Sequence, residues 1–437
     1  MNVLLIFLGK FIIVVSRLFN LGNGSTWPGH IALNLNKNFI KEIVKVNPQL
    51  KIILIAGTNG KTTTSKLIRT ILEYDKKSLP APWRVFQNES GANLLNGIAS
   101  CLLLHSSILC KINYNFAIFE VDENTLPLIL KKINNPDFII ILNLFRDQLD
   151  RYGEVNIIAE KWEGAIRHLL PVTTLILNAD DPQVAFLGKF HSNVLYFGID
   201  SKKNKNEKFQ HASDSTYCPN CGEKLIYNSI YFSHLGDWIC KKCNYKHPQK
   251  TSTSSPIYPL SGTYNEYNTN AATLLAENLG FGKEKIKSAL KYFKPAFGRQ
   301  EALNIKGKKV QIFLSKNPTG FNESLKTIAD LGALNLLLVL NDRIPDGRDI
   351  SWIWDVDFER YIDRFKNIIV SGDRVYDMAL RLKYADLLIS DTQIHADIKN
   401  AINTALKVMP KNETFYVLPT YSAMLEVRRI LTGKKIL

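Results

Sequence analysis

The stretch Lys51-Ile-Ile-Leu-Ile-Ala-Gly-Thr-Asn-Gly-Lys-Thr-Thr-Thr64 decides the fold of this chain. Its first six residues are mostly apolar and predict a buried strand, and Gly57 to Gly60 predict a tight turn before a helix. A turn of this kind directs backbone N–H groups toward an anion at the N-terminus of the helix. The stretch therefore predicts a phosphate-binding loop within an α/β domain.

The side chains of this loop predict an ATP site. Lys61 is expected to clamp the β- and γ-phosphates, and the hydroxyl of Thr62 is expected to hold Mg²⁺. Ile55 stands where the common form of the loop has a further glycine. An ordinary Gly/Thr turn with an exposed lysine is the alternative. The predicted nucleotide-binding residues here are Gly57, Thr58, Asn59, Gly60, Lys61, Thr62 and Thr63.

The length and composition of the chain indicate a folded protein of several domains. A chain of 437 residues exceeds what one core accommodates, so two or three domains are expected. Hydrophobic residues make up 46% and charged residues 22%, which argues against extended disorder. The formal net charge of +15 favours nucleic acid, an anionic membrane surface or a phosphorylated substrate as partner. An AT-rich genome explains the abundant lysines equally well.

The N-terminal stretch from Val3 to Val15 is apolar except at Gly9 and Lys10. Arg17 follows it short of the roughly 20 residues that span a bilayer, so a transmembrane helix is not expected. No basic segment precedes the stretch and no small-residue cleavage site follows it, and we therefore expect a cytoplasmic protein. Lys10 and Arg17 share one side of a helix, which suits either a helix resting in a membrane interface or one covering a core with one wet edge.

Four of the six cysteines form two pairs, Cys218-Pro-Asn-Cys221 and Cys240-Lys-Lys-Cys243, with 18 residues between them. This spacing is typical of a zinc ribbon, and in a reducing cytoplasm such pairs act as thiolate ligands. Four thiolates leave no coordination position for substrate, so the predicted Zn²⁺ is structural. Polar segments flank the pairs and predict an insertion at residues 212–250. The remaining two, Cys101 and Cys110, lie in an apolar helical stretch and are expected in the core.

Strand-end motifs continue after the phosphate loop. The segment from Ala117 to Glu123 predicts a strand that delivers Glu120 and Asp122 to its carboxyl end, where open α/β sheets bind ligands. Carboxylates beside a phosphate loop suit Mg²⁺, and we assign Glu120 as a ligand; a solvated strand end is the alternative. A strand, a helix and another strand are then predicted at 138–142, 154–169 and 175–182. This alternation predicts a mostly parallel, doubly wound sheet.

The order of these motifs resembles the central domain of the Mur ligases, and the loop resembles that of the folylpolyglutamate synthases. The Mur ligases show a Gly-Thr-Asn-Gly-Lys loop, a strand-end Glu, an Asp-x-Leu-Asp segment and Asn-x-Asp-Asp, and this chain has all four in that order. Later segments, Gly262 to Ala272 and Phe297-Gly-Arg299, match those that contact the nucleotide and form a hinge. The resemblance implies that ATP activates a carboxylate as an acyl phosphate. It also implies four further nucleotide-locating residues, Asn178, Asp181, Asn268 and Arg299.

Three departures from the Mur ligase pattern bear on the chemistry. Gln148 stands where these ligases commonly have a His near a second Mg²⁺, which puts the number of Mg²⁺ ions in question. Lys161 lies one residue away from the spacing of a carbamylated family lysine, and a surface lysine fits equally well. Lys316, in Leu314-Ser-Lys-Asn-Pro-Thr-Gly320, replaces a His. A lysine there can steady an acyl phosphate but cannot act as the same base, which argues against a ligase for free amino acids.

Three features together are similar to the MurT family: the ribbon inside a Mur-like domain, the Lys316 to Gly320 segment, and Asp346-Gly-Arg-Asp-Ile-Ser-Trp-Ile-Trp-Asp355. Members of that family are synthetase subunits of lipid II isoglutaminyl synthase. The resemblance implies that ATP phosphorylates the α-carboxylate of D-glutamate in the lipid II stem peptide and that ammonia then gives D-isoglutamine, a step of peptidoglycan synthesis. It also implies a heterodimer with a GatD-type glutamine amidotransferase that supplies the ammonia.

Within the Asp346 to Asp355 segment, the resemblance implies an aspartate that orients the catalytic histidine of the partner, and we select Asp349. Acids with two tryptophans suit a partner interface, whereas tryptophans that fill the C-terminal core are the alternative. The predicted catalytic residues are thus Asp349, Lys61 and Glu120.

The predicted fold class is α/β, with a Mur ligase-type P-loop domain, an inserted four-cysteine zinc ribbon and a smaller C-terminal α/β domain. The predicted boundaries are 1–45 for an N-terminal helix and linker, 46–300 for the ATP-binding domain and 301–437 for the last domain. A stand-alone amino-acid ligase and a zinc-ribbon ATPase that binds nucleic acid are the rival functions. No basic-aromatic pattern surrounds the ribbon, so no nucleic acid is expected. Lipid II would be met at the inner face of the cytoplasmic membrane.

Overall fold

The computed structural model of the protein describes residues 1–18, 26–74, 83–88, 91–147, 155–199, 208–251, 254–305, 307–408, 410 and 413–433. The helices in these ranges are α1 (Asn2–Leu18), α2 (Trp27–Leu35), α3 (Phe39–Lys45), α4 (Lys61–Leu72), α5 (Leu95–His105), α6 (Leu126–Leu130), α7 (Val155–Ile166), α8 (Pro182–Leu187), α9 (Thr263–Asn278), α10 (Lys283–Leu290), α11 (Pro318–Asp330), α12 (Val375–Lys383), α13 (Ile398–Val408) and α14 (Tyr421–Thr432). The strands are β1 (Lys51–Ala56), β2 (Val85–Gln87), β3 (Phe116–Glu120), β4 (Phe138–Ile141), β5 (Thr174–Asn178), β6 (Val194–Phe197), β7 (Ile226–Phe232), β8 (Leu235–Ile239), β9 (Arg299–Ile305), β10 (Lys308–Phe313), β11 (Asn335–Val339), β12 (Asn367–Ser371), β13 (Ile394–His395) and β14 (Thr414–Pro419).

Parallel strands form the central sheet, in the order β2-β3-β1-β4-β5-β6. β1 lies inside it, with Ile53 paired to Ile118 of β3 and to Phe138 of β4. All residues of β1 except Lys51 are buried, as expected for a parallel strand covered on both faces. The loop after β1 therefore lies beside the carboxyl ends of β3 and β4, where open α/β sheets bind ligands.

Helices cover both faces of this sheet. On one face, α4 buries Leu67, Ile68, Ile71 and Leu72, a spacing that follows the helical repeat, and α9 and α10 pack beside it. On the other face, α5, α6 and α7 share one core with the N-terminal helices α1, α2 and α3. This arrangement leaves the carboxyl edge of the strands open to the C-terminal domain.

The N-terminal helices are tied to the central domain by packing and by hydrogen bonds. Gly9 of α1 faces α5 so closely that a Cβ there would lie 2.5 Å from Leu103. Lys10 donates to the carbonyl of Ser106 over 2.5 Å. The side chain of Arg17 lies outside the described part of the chain. Among the described residues, no helix is both long enough and apolar enough to cross a bilayer.

The antiparallel hairpin β7–β8 is inserted between β6 and α9. The four paired cysteines lie at one end of this insertion, and its hairpin tip packs into the central domain. There the ring of Phe145 is 5.5 Å from that of Phe232 and 4.7 Å from that of His234. Segment 208–215, which precedes the hairpin, also contacts the C-terminal domain, because His211 pairs with Asp357.

The C-terminal domain is built on a second sheet, in the order β13-β12-β11-β14-β10-β9, with only β9 antiparallel among the paired strands. The helices α11 and α12 cover one face, and α13 and α14 cover the other. The side chain of Asn317 caps α11 by accepting from Gly320 N at 2.8 Å, and Pro318 follows at the first helical position. The sequence Asn-Pro-Thr-Gly thus starts a helix beside the central domain.

The predicted fold class is confirmed: a parallel central sheet, a four-cysteine insertion and a second, separate α/β sheet. The predicted domain boundaries stay a prediction, and the segment predicted as helix and linker contains α1, α2 and α3. Cys101 is buried in α5, as predicted, and Cys110 packs against the same core, but its predicted helical position was wrong. It lies beyond the end of α5, partly exposed and with a φ of +63°, because residues 106–112 form a bridged turn.

Candidate functional site

The loop after β1 has the geometry of a phosphate cradle. Gly57 and Gly60 have φ angles of +132° and +94°, which L side chains rarely adopt. A Cβ on Gly60 would lie 2.0 Å from the Asn268 amide oxygen, so α9 closes directly against the loop. Lys61 begins α4, and its ammonium donates to the carbonyl of Gly57 and, over 3.4 Å, to that of Thr58. The strand, turn and helix N-terminus predicted from the sequence are all formed.

The segment after β4 fixes this loop. Thr58 Oγ1 donates to the carbonyl of Phe145 at 3.0 Å and accepts from its N–H at 2.9 Å. Asn143 accepts from Asn59 N at 2.8 Å and donates to Asn59 O at 3.0 Å. The loop conformation therefore depends on Phe145, which also contacts the ribbon hairpin.

Two acidic side chains at the end of β3 meet the first turn of α4. Thr62 Oγ1 donates to Glu120 Oε2 over 2.7 Å, and Lys61 Nζ lies 3.1 Å from Glu123 Oε1. Burial raises the pKa of Glu120 to about 6, although the hydrogen bond from Thr62 opposes that rise. Glu120 Oε1 has no hydrogen-bond partner in the described part of the chain. A hydroxyl beside a buried carboxylate with an unused oxygen is a donor set that fits Mg²⁺.

Glu123 is the acid that sequence reasoning missed, although it closes the same Glu-Val-Asp-Glu motif. Asp122, between the two, instead accepts from Asn124 N at 3.1 Å and stabilises the turn after β3. The alternation of side chains along a strand did not predict that Glu123, and not Asp122, would contact Lys61, because the chain turns directly after Glu120.

Lys316 reaches from the C-terminal domain to the central domain. Its Nζ lies 2.5 Å from Asp147 Oδ2. Burial alone would lower the pKa of Lys316, but the carboxylates of Asp147 and Glu123 outweigh burial and raise it above its ordinary value. The side chain therefore stays a cation at neutral pH and does not serve as a base. Asp147 was quoted within a family motif but was not singled out as its partner.

Groups from both domains line a cavity of about 260 Å³. The central domain contributes Lys61, Thr62 and Glu120, and the C-terminal domain contributes Arg299 and Lys316. The two domains also meet where the side-chain amides of Asn59 and Asn317 exchange hydrogen bonds of 3.1 and 3.4 Å. The cavity thus has cations on two sides and a buried carboxylate between them.

A second cavity shares Asn59, Gly60, Arg299 and Lys316 with the first. Its other lining residues include Asn268 and Tyr264 from α9, and Phe232 from the ribbon hairpin. Apolar and aromatic walls with a few polar groups are typical of small-molecule sites. Phe232 gave no signal in the sequence, since only the packing of the hairpin against Phe145 brings it here.

Asn178 and Asp181 lie elsewhere, below the loop that follows β4. Asn178 is fully buried, donates to Leu142 O at 2.9 Å and accepts from Asp180 N at 3.0 Å. Asp181 caps α8 and accepts from Leu144 N at 2.9 Å. Neither belongs to the linings of these two cavities. Their predicted nucleotide contacts therefore stay a prediction, and their present bonds hold the Asn143 loop in place.

The four paired cysteines converge. Their sulfur atoms all lie within 4.8 Å of one another, with Cys218 Sγ 3.6 Å from Cys243 Sγ and Cys221 Sγ 3.5 Å from Cys240 Sγ. Zn–S bonds of about 2.3 Å in a tetrahedron place sulfurs about 3.8 Å apart. The separations fit a zinc site with four thiolate ligands, and they do not fit S–S bonds of about 2 Å.

Asp349 belongs to the lining of neither cavity and is exposed on the surface of the C-terminal domain. Its exposed carboxylate accepts from Ser351 N at 2.8 Å, at the start of a short 3₁₀ helix. The two nearby tryptophans differ: Trp352 packs on Phe321, and Trp354 is 46% exposed. Trp352 thus fits the interpretation that the segment fills the core, and Trp354 fits the interpretation that it forms a partner interface. Asp349 is accessible to solvent.

Two other positions depart from the family pattern. Gln148 lies outside the described residues. Lys161 is exposed on α7 and donates to Asn124 Oδ1 at 3.0 Å.

The arrangement as a whole is suited to transfer of a phosphoryl group. A backbone cradle with Lys61 neutralises polyphosphate, a carboxylate and a hydroxyl can hold Mg²⁺, and Lys316 with Arg299 can balance charge on an acceptor from the opposite side.

Comparison with known protein families matches most of the chain. The model for the Mur ligase middle domain matches residues 55–276, and the model for the MurT ligase C-terminal domain matches residues 314–424. The chain is 32% identical to the lipid II isoglutaminyl synthase (glutamine-hydrolyzing) subunit MurT of Streptococcus pneumoniae, across 97% of this chain and 95% of that protein. It is also 32% identical to the subunit of the same name from Staphylococcus aureus, across 92% of this chain and 91% of that protein.

Solved structures agree on the fold. A pseudomurein peptide ligase type C from Methanothermus fervidus superposes with a TM-score of 0.65 at 24% identity, covering 90% of this chain and 81% of that one. A Mycobacterium tuberculosis folylpolyglutamate synthase complexed with ADP gives 0.59 at 15% identity, covering 92% and 95%.

Proposed function

This chain belongs to the Mur ligase family and, within it, to the MurT subunits of lipid II isoglutaminyl synthase, and we propose on that basis that it amidates lipid II for peptidoglycan synthesis. The reaction is ATP-dependent conversion of the α-carboxylate of D-glutamate in the stem peptide to D-isoglutamine. The curated relatives are named for this synthase and match almost the full chain. One structural observation carries the proposal: Lys61 with Glu120 and Lys316 with Arg299 line one cavity between two domains.

The residues of the central domain bind and orient ATP. Backbone N–H groups of the Gly57 to Thr62 loop surround the phosphates, and Lys61 exchanges its contact with Glu123 for the γ-phosphate. Asn268, Arg299 and Phe232 line the adjoining space into which the rest of the nucleotide fits. Asn178 and Asp181 act on the nucleotide through the loop after β4. Thr62 and Glu120 would hold Mg²⁺, which supplies charge neutralisation for phosphoryl transfer.

The residues of the C-terminal domain act on the acceptor. The α-carboxylate attacks the γ-phosphorus, the bond to the ADP oxygen breaks, and an acyl phosphate forms. Ammonia then attacks the carbonyl carbon, loses a proton and expels inorganic phosphate, leaving the amide. Lys316 and Arg299 balance the negative charge of the acceptor and of the acyl phosphate. Lys316 stays protonated, which fits this electrostatic part and disfavours a ligase that needs a base at this position.

Ammonia requires a source close to the site, because water competes for an acyl phosphate. We infer a heterodimer with a GatD-type glutamine amidotransferase, since the curated relatives are named as subunits of a glutamine-hydrolysing synthase. Asp349, exposed beside Trp354, would orient the catalytic histidine of that partner. The four cysteines would hold a structural Zn²⁺.

The site of action follows from the substrate. Lipid II is anchored in the bilayer, and ATP is cytoplasmic, so the protein would work peripherally at the inner face of the cytoplasmic membrane.

The experiment is an amidation assay with purified lipid II, ATP and Mg²⁺, run with and without a GatD-type subunit and with either glutamine or ammonium. The proposal expects glutamine-dependent D-isoglutamine formation only with the partner, and its loss in Lys61→Ala. Lys51→Ala, at the exposed start of β1, the strand that leads into the phosphate loop, is the matched control and should retain activity. Absence of amide under every condition, with ATP hydrolysis stimulated by a free amino acid, would contradict the proposal and favour a stand-alone ligase.

A further inference from the structure

The solvent-facing side of α1 carries only apolar side chains over residues 2–15, where side chains are described. Its exposed residues are Val3, Leu4, Phe7, Leu8, Phe11 and Val14. Both phenylalanines are 58% exposed. The opposite side, with Leu5, Ile6 and Ile13, is buried in the core shared with α2 and α5. Soluble proteins rarely leave such a continuous apolar strip in water, so the strip marks a surface that something covers.

Other exposed apolar residues lie near the start and near the middle of the strip. At its start, Asn36 donates to Asn2 Oδ1 at 2.9 Å, and the neighbouring Leu35 is 59% exposed. Beside its middle, Lys10 contacts the carbonyl of Ser106, and Leu109 in the following turn is 76% exposed. The apolar surface therefore extends beyond one helix.

The N-terminal segment that carries this strip is rich in basic residues. Residues 1–50 contain five basic residues, Lys10, Arg17, Lys37, Lys41 and Lys45, and one acidic residue, Glu42. Three of the lysines, Lys37, Lys41 and Lys45, are exposed. The carboxylate of Glu42 is held by Asn2 and Asn36 at 2.8 and 3.0 Å. An apolar strip with basic surroundings is the composition of segments that bind anionic lipid surfaces.

We propose that α1 docks the protein on an anionic bilayer, with Phe7 and Phe11 inserted at the boundary of headgroups and acyl chains. α1 has 17 residues and one side committed to the protein core, so it lies along the surface and does not span it. A second copy of the chain is a poorer occupant, because pairing two α1 helices brings two basic segments together. The inference rests on the proposed function only for the reason why the protein would dock, which is that its substrate is anchored in the lipid bilayer.

The test is sedimentation of the full chain with vesicles of phosphatidylglycerol and phosphatidylcholine in equal parts, and with vesicles of phosphatidylcholine alone. We expect binding to the anionic vesicles and a loss of about tenfold or more in partition for the double variant Phe7→Glu/Phe11→Glu. Phe7→Leu/Phe11→Leu should keep most of the binding, because it keeps the apolar surface. Leu388→Glu, at a residue 82% exposed in the C-terminal domain, is the matched control and should bind as the parent does.

Equal binding of the parent and the Phe7→Glu/Phe11→Glu variant would overturn the proposal, as would no binding of the parent. Light scattering without lipid tests whether a second copy of the chain covers the strip. A dimer that the Phe7→Glu/Phe11→Glu variant dissociates, together with no vesicle binding, would assign the strip to a second copy and would overturn the membrane proposal. These vesicles contain no lipid II, so their result is independent of the amidation assay. A protein that binds vesicles but does not amidate lipid II would contradict the proposed function alone.

Discussion

Lys316 and Asp147 form a contact between domains that decides the chemistry available at the site. The pair brings a partly exposed lysine ammonium from the C-terminal domain within 2.5 Å of a buried carboxylate from the central domain. Because Asp147 and Glu123 raise the pKa of Lys316, the cation is retained as pH rises. On the proposed function, a fixed cation at this place would stabilise negative charge that develops on the acceptor and would not exchange protons with it.

Replacing Lys316 therefore tests the electrostatic part directly. We expect Lys316→Ala to lower kcat for amidation by about 100-fold or more, the usual cost of removing one preorganised charge donor. Lys316→Arg should retain more activity, and Lys309→Ala, at an exposed lysine on the adjacent strand β10, should have no effect. In the parent, kcat should show no loss assignable to this lysine between pH 7 and about 9. Full kcat in Lys316→Ala would contradict this account.

Phe232 belongs to the residue scale as well, because one ring connects the ribbon to the cavity. Its side chain is almost fully buried yet lines the space next to Gly60 and Asn268. We expect Phe232→Leu to weaken ATP binding by about tenfold, or about 1.4 kcal/mol, by reshaping this wall. Isothermal titration with a non-hydrolysable ATP analogue measures it, and zinc content should not change.

Ile226→Ala on the same strand is the control for Phe232, since Ile226 is 46% exposed and lies at the other end of the hairpin. The leucine substitution is chosen because truncating a buried phenylalanine to alanine costs about 3–5 kcal/mol of stability and would confuse binding with folding. Unchanged affinity in Phe232→Leu, with the protein folded, would remove this residue from the nucleotide site.

At the scale of elements, the ribbon hairpin connects a four-cysteine end to a buried tip. Trp238 and Cys240 pack with Ala185 of α8 at the cysteine end, whereas Phe232 and His234 contact Phe145 at the tip. Phe145 in turn bonds Thr58 of the phosphate loop. The insertion is thus integrated in the central domain, and we expect its stability to affect the phosphate loop.

Removing the predicted metal should therefore affect more than the ribbon. We expect Cys218→Ser/Cys243→Ser to lose about one Zn²⁺ per chain, to lower Tm, and to weaken ATP binding, because an unfolded ribbon no longer holds the hairpin tip. Elemental analysis, calorimetry and nucleotide titration measure the three effects. Cys110→Ser, outside the cluster, should retain zinc. A zinc-free variant with the parent's Tm and ATP affinity would contradict the link.

The ribbon and the phosphate loop also show which features could be predicted from the sequence and which could not. The Cys-x-x-Cys spacing and the Gly57 to Lys61 turn are local patterns with fixed geometry. The convergence of the four cysteines and the turn before α4 were therefore both predicted correctly. The positions of Phe232 and Glu123 in the site depend on packing between segments far apart in the chain. Local sequence patterns do not predict such long-range packing. Asn178 was assigned to the nucleotide from a family motif, but in the structure its side chain makes buried hydrogen bonds within the protein. A sequence motif does not distinguish such a structural role from contact with a ligand.

For the whole molecule, the position of the C-terminal domain is set by contacts on two sides. Lys316 and Asn317 contact the central domain beside the phosphate loop. On the ribbon side, Arg146 bridges Asp214 at 2.6 Å and Asp355 at 3.1 Å. These contacts hold the cavity between the domains while Asp349 faces outward. On the proposed function, the cavity between the domains would carry the synthetase reaction, and the exposed surface around Asp349 would contact the glutaminase.

The most direct test of this division is the Asp349→Asn variant in the complete assay with lipid II, ATP, Mg²⁺ and the GatD-type subunit, compared between glutamine and ammonium as nitrogen source. The account predicts that glutamine-dependent amidation falls about 100-fold or more, because the partner histidine loses its carboxylate. It also predicts that ammonium-dependent amidation stays at the parent level, with Asp330→Asn, at another exposed aspartate of the domain, normal in both. Equal loss with glutamine and ammonium, or no loss with either, would contradict the account.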